Sequence, residues 1–375
     1  GGGLPPAPVY DLKIQRRFGD LVVATYGRGF WILDDLSALR QLPSGEPAGG
    51  PRLLEPRPAL RFRARTGSMA QPDVPAAGEN PPPGAPLHYV LPAPAASVTL
   101  EILDASGAVV RDLPVPEDGS EAGVHRVWWD FHHDPTTAPR LRTRPDERPG
   151  EALPPEGFRG LRDGRPVRLL ARPGTYRVRL AVVPAADDGA SDGPMDIVSE
   201  VELDLEVDPA SRRAGVSAED FDRQYAALFE LRDMAERSAL VINRIEWLRA
   251  ELLFTVERLG ASKPAGASAA GPDRSDLVEG LRSLERDLAA VEGRFFDLRL
   301  TGASQDTLRW KRLLWSRIGY LASRIGAADG APTPSQLEVL DVLRGRLRSA
   351  EEGFRGQRDA VDAMRRRLDA AGLGD

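Results

Sequence analysis

The stretch GDLVVATYGRGFWILDDL, from Gly19 to Leu36, decides how this chain is read. Leu21 to Thr25 is an apolar, β-branched run and Phe30 to Leu33 is a second, with Gly27-Arg28-Gly29 between them. Two such runs around a short glycine-containing turn predict a buried β-hairpin. The glycines flank one arginine where the backbone must take a positive φ that a side chain would resist. Asp34-Asp35 then ends the second strand, because short carboxylates hydrogen-bond the backbone of a turn. A lone hairpin is marginal in water, so a larger sheet must cover it. The preceding residues, Gly1 to Pro8, are a Gly/Pro run that supplies no such sheet.

Extended to DLVVATYGRGFWILDDLSALRQL, Asp20 to Leu42, the stretch resembles the closing blade of the large bacterial sortilin-type, BNR-repeat β-propeller proteins, a family often labelled glycosyl hydrolase or sialidase-like. The resemblance continues in order through VWWDF (Val127 to Phe131), RPGTYRVRL (Arg172 to Leu180) and ADGAPTPSQLEVLDVL (Ala328 to Leu343), and so covers nearly the whole chain. One motif departs from the family. Its Asp-box, Ser-x-Asp-x-Gly-x-x-Trp, is degenerate here, since Ile32-Leu33-Asp34-Asp35-Leu36-Ser37 lacks the glycine and the tryptophan. A sialidase's arginine cluster, acid and nucleophile come from several blades, so no catalytic residue carries over. The resemblance implies the C-terminal piece of a longer exported protein, periplasmic or extracellular, beginning inside its last propeller blade and partnered by the upstream propeller.

Composition narrows the function classes. The chain has 375 residues, enough for two or three domains. Lys and Arg number 50 against 56 Asp and Glu, a net charge of −6 that implies neither a nucleic-acid nor an anionic-membrane partner. The absence of cysteine excludes disulfides and thiolate metal sites. No apolar run approaches the roughly 18 residues of a transmembrane helix.

The expected fold is multidomain, all-β followed by all-α: a terminal propeller-blade hairpin (residues 1–42), a Pro/Gly-rich linker (43–86), an Ig-like antiparallel β-sandwich (87–208) and an elongated, antiparallel four-helix, coiled-coil-like bundle (209–375). Within the linker, Arg61-Phe62-Arg63-Ala64-Arg65 reads as an edge strand with Phe62 turned inward rather than as an anion site. From Leu87 the period becomes two. Val98, Leu100 and Ile102 alternate with Thr99, Glu101 and Leu103, and Asp104 to Gly107 turns the chain into Val109 to Leu113. Further strands are expected at Val124 to Phe131, Val167 to Leu170, Thr175 to Val183 and Ile197 to Val207, a pattern of Ig type. Tyr176 follows Arg172-Pro173-Gly174 and is placed to anchor that corner through its hydroxyl. Pro135 to Pro166 is a long Pro/Arg-rich loop, mobile or functional.

The most site-like cluster holds His125, Trp128, Trp129, Asp130, His132, His133 and Asp134. Imidazole and carboxylate suit a divalent metal, making His125, Asp130, His132 and Asp134 weak candidate ligands. Adjacent His132 and His133 point to opposite faces of a strand, however, and cannot easily share one ion. Trp128 and Trp129 could form a platform for a sugar ring, or one of them could fill the core while Asp130 bonds backbone at the strand end. No cofactor is implied.

After Asp208-Pro209 the period becomes helical. Ser217 with Asp220 makes a capping box for a helix to about Leu259, with Leu231, Met234, Val241, Ile245, Leu248, Leu252 and Leu259 in a heptad seam. The Ala/Gly/Ser-rich run Gly260 to Pro272 interrupts it. A second helix, from Asp273 to about Leu300, carries Leu277, Leu281, Leu284, Leu288, Val291, Phe295 and Leu298. A third carries Leu308, Leu314, Ile318, Leu321 and Ile325, and a fourth begins at Thr333-Pro334 with Leu340, Leu343, Leu347, Phe354, Val361, Met364 and Leu368 in line.

Three functions compete on these residues. A non-catalytic accessory region would close a propeller and use its helices for assembly, partner binding or self-association. A sialidase-like glycoside hydrolase would have its site upstream. It would need two carboxylates about 5 to 9 Å apart, whereas Asp34-Asp35 and Asp130 with Asp134 read first as turn and cap residues. A carbohydrate-binding sandwich would show an exposed aromatic platform. The first reading needs the fewest residues in special roles.

Overall fold

A computed structural model describes residues 4, 6–42, 49–63, 81–148, 150–161, 164, 166–185, 196–261, 274–303 and 305–373. The chain forms two units, Gly1–Asp134 with Leu170–Val216, and Pro135–Leu169 with Ser217–Asp375. Sheets dominate the first and helices the second, so the chain combines β and α structure. Ala64, Arg65, the rest of the expected linker at 43–48 and 64–80, and the interruption at 262–273 lie outside the described residues.

In the first unit, β1 (Val9–Gln15), β2 (Asp20–Thr25) and β3 (Phe30–Leu33) form an antiparallel sheet. The expected hairpin is β2–β3, and Gly27 and Gly29 take φ of 68° and 76°. β1 was missed, although Tyr10, Leu12 and Ile14 alternate with Asp11, Lys13 and Gln15 at a strand's period of two. The expectation of a buried hairpin is corrected. Register places Leu12, Ile14, Leu21, Val23, Trp31 and Leu33 on one face and Val22, Ala24, Phe30 and Ile32 on the other. Only Val23 of these is buried, while Phe30 is 78% and Ile32 61% exposed. Three strands are too few to bury apolar side chains on both faces unless further layers cover them.

α1 (Ser37–Gln41) leads through Leu54, which packs with Ala38 and Val90, into two more sheets. β4 (Arg52–Leu53), β6 (Ala85–Leu91) and β9 (Gly123–Trp129) form one, antiparallel in the order β4-β6-β9. The other contains β5 (Ala59–Arg61), β7 (Ala95–Leu103), β8 (Val109–Leu113), β12 (Gly174–Pro184) and β13 (Asp196–Val207), in the order β5-β13-β12-β7-β8. Only β5 pairs parallel within it. The sheets share one core: Leu87, Tyr89, Val127 and Trp129 from the first meet Leu100, Ile102, Val178, Leu180 and Leu203 from the second. The period-two reading of Leu100 and Ile102 is therefore the core-facing set. The Tyr176 hydroxyl donates to the Arg172 carbonyl oxygen at 2.9 Å, as the corner required. β5 is an edge strand, but Phe62 beyond it is exposed. Arg61 is the buried residue, its Nε donating to the Ala171 carbonyl oxygen at 2.6 Å. A guanidinium with a carbonyl partner can enter a core that would otherwise reject it. Val167 to Leu170 contributes only a bridge, Leu170 to His132. α2 (Pro209–Arg213), capped by Asp208, closes this unit.

The second unit takes the Pro/Arg-rich loop that was expected to belong with the strands. Its β10 (Arg140–Leu141) and β11 (Arg159–Gly160) pair antiparallel, and Leu141, Val167 and Leu169 join the core of the helices. α3 (Ala218–Ala261) is free of proline and meets glycine only at Gly260, so nothing interrupts it over about 66 Å at 1.5 Å per residue. At its start the Asp220 amide donates to Ser217 Oγ at 3.1 Å, and the Asp220 carboxylate accepts from the Ser217 amide. α4 (Arg274–Glu292) stops earlier than expected, and Phe295 and Phe296 fill the core from a turn. The third expected helix is split into α5 (Asp306–Arg309) and α6 (Leu314–Ile325). α7 (Pro334–Ala370) begins with a capping box from Thr333 and Gln336 and buries its whole predicted apolar series.

The expected antiparallel four-helix arrangement is also corrected. Arg344 pairs with Glu230, Glu351 with Arg237 and Arg365 with Glu251, each separated by 114 residues, so α3 and α7 run parallel and in register. α4 reaches α3 through Arg249 with Glu285 and Glu292, whereas the end of α6 meets its start through Gln224 and the Ile325 carbonyl oxygen. α4 and α6 thus follow one another along α3, and each level is three helices across. The heptad pattern specified apolar seams but not how many helices share a level.

Candidate functional site

The expected metal ligands do not converge. The His125 Nε2 lies 2.8 Å from the Glu121 carbonyl oxygen, and the ring stacks on Tyr89. His132 Nδ1 lies 2.8 Å from the Asp130 carbonyl oxygen, while Asp134 accepts from Arg111 at 2.9 Å. Among the described residues no three His, Asp or Glu side chains are grouped to hold a metal. The two tryptophans separate because neighbours on a strand face opposite ways. Trp129 is 0% exposed, packs edge-on against Phe131 and Tyr176, and donates from Nε1 to the His132 carbonyl oxygen at 3.0 Å. Trp128 stays on the outer face with the Arg126 guanidinium 5.6 Å from its ring centroid. They form no common platform, and Asp130 accepts from the His132 amide as a turn residue does.

Trp128 instead belongs to a cleft of ≈ 440 Å³ that no single motif announced. The starts of β2 and the loop after β3 bring in Asp20, Asp34 and Asp35. The chain before β5 brings Arg57, β9 brings Arg126, and Phe18, Phe62 and Trp128 supply aromatic walls. Asp35 is nearly buried at φ 56°, a left-handed conformation uncommon outside glycine. The Asp20 carboxylate receives the Asp35 amide at 3.0 Å, and Asp35 Oδ1 receives the Ser37 amide at 3.0 Å. The turn role expected for Asp35 is therefore present. Its second oxygen, Oδ2, has no hydrogen bond and faces Arg57 Nε at 3.5 Å. Arg57 also lies over the Phe18 ring, 5.2 Å from its centroid. Burial and the neighbouring charge of Asp20 push the Asp34 carboxyl above its ordinary value, against the pull of Arg126 and Arg57. Gly84 forms part of the wall at φ 146°, where a Cβ would lie 2.3 Å from the Trp129 carbonyl oxygen. The cleft thus combines three carboxylates, two guanidiniums and aromatic faces, a set able to hydrogen-bond hydroxyls and stack on a ring. Asp34-Asp35 was visible in the sequence. Asp20, Arg57 and Arg126 were not, because pairing of distant strands brings them there.

A second polar cluster is internal to the helical unit. Glu246 on α3 is fully buried and accepts from the amides of Arg142 (2.5 Å) and Thr143 (2.7 Å) and from Thr143 Oγ1 (2.8 Å). Beside it Arg249 donates to Glu285 and to fully buried Glu292. Burial opposes the charge on Arg249, but Glu292, Glu285 and Glu246 outweigh it and raise its pKa. Burial and the adjacent Glu246 push Glu292 well above the carboxylate range. Every strong contact here goes to the chain itself, so this cluster clasps the 135–169 segment onto α3.

The chain matches no protein-family model, no curated protein and no solved structure.

Proposed function

We propose that this chain is a non-catalytic accessory region of a sortilin-type, BNR-repeat β-propeller protein, serving propeller closure and assembly outside the cytoplasm. The observation that carries the reading is the β1–β3 sheet, which presents apolar residues on both faces and leaves both largely exposed. A propeller blade is packed by a neighbouring sheet on each face, which calls for that composition. On this reading the two sheets sharing one core are an Ig-type sandwich, and the helices are a docking bundle. Hydrogen exchange tests it. In this chain alone the β2 and β3 amides are expected to exchange much faster than those of β12. Fused behind a sortilin-type propeller, they slow by at least about tenfold. β2 amides as slow as those of β12 in the isolated chain would overturn the proposal.

The cleft favours a second reading, a carbohydrate-binding role for the β unit, because carboxylates and guanidiniums there flank an outward-facing tryptophan. Calorimetry with a panel of neutral and acidic oligosaccharides tests it. Binding that disappears in Trp128→Ala supports the reading, and no heat with any sugar removes it.

A further inference from the structure

We propose that a groove along α3, lined by Arg140, Arg142, Leu240, Arg244 and Trp247, docks an acidic peptide segment carrying a large apolar side chain. The groove has a volume of ≈ 490 Å³ and lies wholly within the helical unit. Among the described residues no carboxylate lines it and its three guanidiniums make no ion pair, although acidic residues outnumber basic ones in the chain. They are held by stacking instead. Arg244 lies 5.1 Å from the Trp247 ring centroid, and Arg140 and Arg142 lie 5.0 and 5.9 Å from that of Phe158. Stacking fixes the plane of a guanidinium and leaves its N–H fork free for a carboxylate.

Between the arginines lie Leu240, 53% exposed, and Trp247, 45% exposed, with Thr137 and Asn243 as the polar part of the lining. The wall opposite α3 is rigid. Glu236 accepts from the Thr137 amide at 2.7 Å, Asn243 from the Arg140 amide at 2.6 Å, and Glu246 from the next two amides but one, Arg142 and Thr143. A preformed wall spares a ligand the cost of ordering it, and tryptophan and arginine are the residue types that dominate binding energy at interfaces. Phosphates also suit guanidiniums, but the Trp247 ring already carries Arg244 and the Phe158 ring carries Arg140 and Arg142, which crowds the faces a base would stack on. Leu240, moreover, offers a base no stacking face. An acidic peptide with one apolar anchor uses all five side chains. The groove is built from residues of the helical unit alone, and the proposal stands without the propeller reading.

The test is fluorescence anisotropy of the full chain with fluorescein-labelled Asp-Glu-Asp-Phe-Leu-Glu-Asp-Glu. Saturable binding in the micromolar range is expected, weakened at least about tenfold by Arg244→Glu and also by replacing the peptide's Phe-Leu with Ser-Ser. Arg244 is exposed, with its guanidinium over Trp247, so the variant is expected to keep its helical CD melt, and Arg16→Glu in the β unit to leave binding unchanged. No saturation by about 1 mM peptide, equal binding by Arg244→Glu, or equal losses in Arg244→Glu and Arg16→Glu would overturn the proposal. So would tighter binding of an eight-nucleotide oligothymidylate, which would assign the groove to nucleic acid.

Discussion

Replacing Glu246 by alanine should release the 135–169 segment from α3. The carboxylate accepts two backbone amides and one hydroxyl, at 2.5 to 2.8 Å, in a place without water access. Each buried amide left without an acceptor costs about 1–3 kcal/mol. Removing one member of a buried charged cluster, with Arg249 beside it, costs about 3–5 kcal/mol in all. Relief of Glu292 from a neighbouring negative charge offsets part of this, which places the expected loss toward the lower figure. Glu246→Gln keeps one acceptor and should lose about 1–2 kcal/mol. Urea denaturation followed at the helical CD band measures the difference. Native-state exchange of the Arg142 and Thr143 amides localises it, with rates rising roughly a hundredfold in the alanine variant, two tenfold steps of about 1.4 kcal/mol each. A loss under about 1 kcal/mol with those amides unchanged would refute the reasoning. The segment would then be held by its bonds to Glu236 and Asn243 and by the apolar contacts of Leu141 and Val167.

Three further outcomes follow from the same geometry. Glu292 has its pKa raised in the folded chain by burial and Glu246, with Arg249 on α3 opposing the shift and Arg159 in the 135–169 segment close enough to interact. Its contribution is therefore fully present below the ordinary glutamate value and is lost as pH rises through the raised one. Glu292→Gln should thus gain stability relative to the parent as pH rises, and parallel urea midpoints across pH 5 to 9 (a window of about four units) would contradict this. Asp20→Asn should lower the pKa of Asp34 by removing a neighbouring negative charge, read by carboxyl NMR titration, with an unchanged value refuting the coupling. Trp129→Ala should cost about 3–5 kcal/mol by emptying the core shared by two sheets, whereas Trp128→Ala should change the thermal midpoint little. Equal effects would show that the assignment of inner and outer faces is wrong.

The elements of this chain were legible where local periodicity and local stop signals agree. The β2–β3 hairpin, the alternating run of β7, the Tyr176 corner, the Ser217 capping box, the Thr333-Pro334 helix start and the leucine series of α4 and α7 all depend on residues a few positions apart, where sequence and geometry are rigidly linked. Short strands such as β4, β5, β10 and β11 were not, because two or three residues carry no period and are held by partners far along the chain. The candidate sites follow the same division. Asp34-Asp35 and Trp128 could be singled out as residues able to bind, yet the cleft exists only because β2, the chain before β5 and β9 are brought together.

The sequence by itself determined that strands precede helices, which apolar series of β7, α4 and α7 face inward, and where the long helices start, whereas Phe62 and Leu308, read as apolar-face residues, are exposed. Only the tertiary structure decided that the Pro/Arg-rich loop belongs to the helical unit, that α3 and α7 run parallel, and that the hairpin's apolar faces stay open. The physical reason is that a hydrophobic period specifies a face to be buried but not the surface that buries it. Carboxylates such as Glu236 and Glu246, which no local pattern singled out, find their partners in a segment about a hundred residues away.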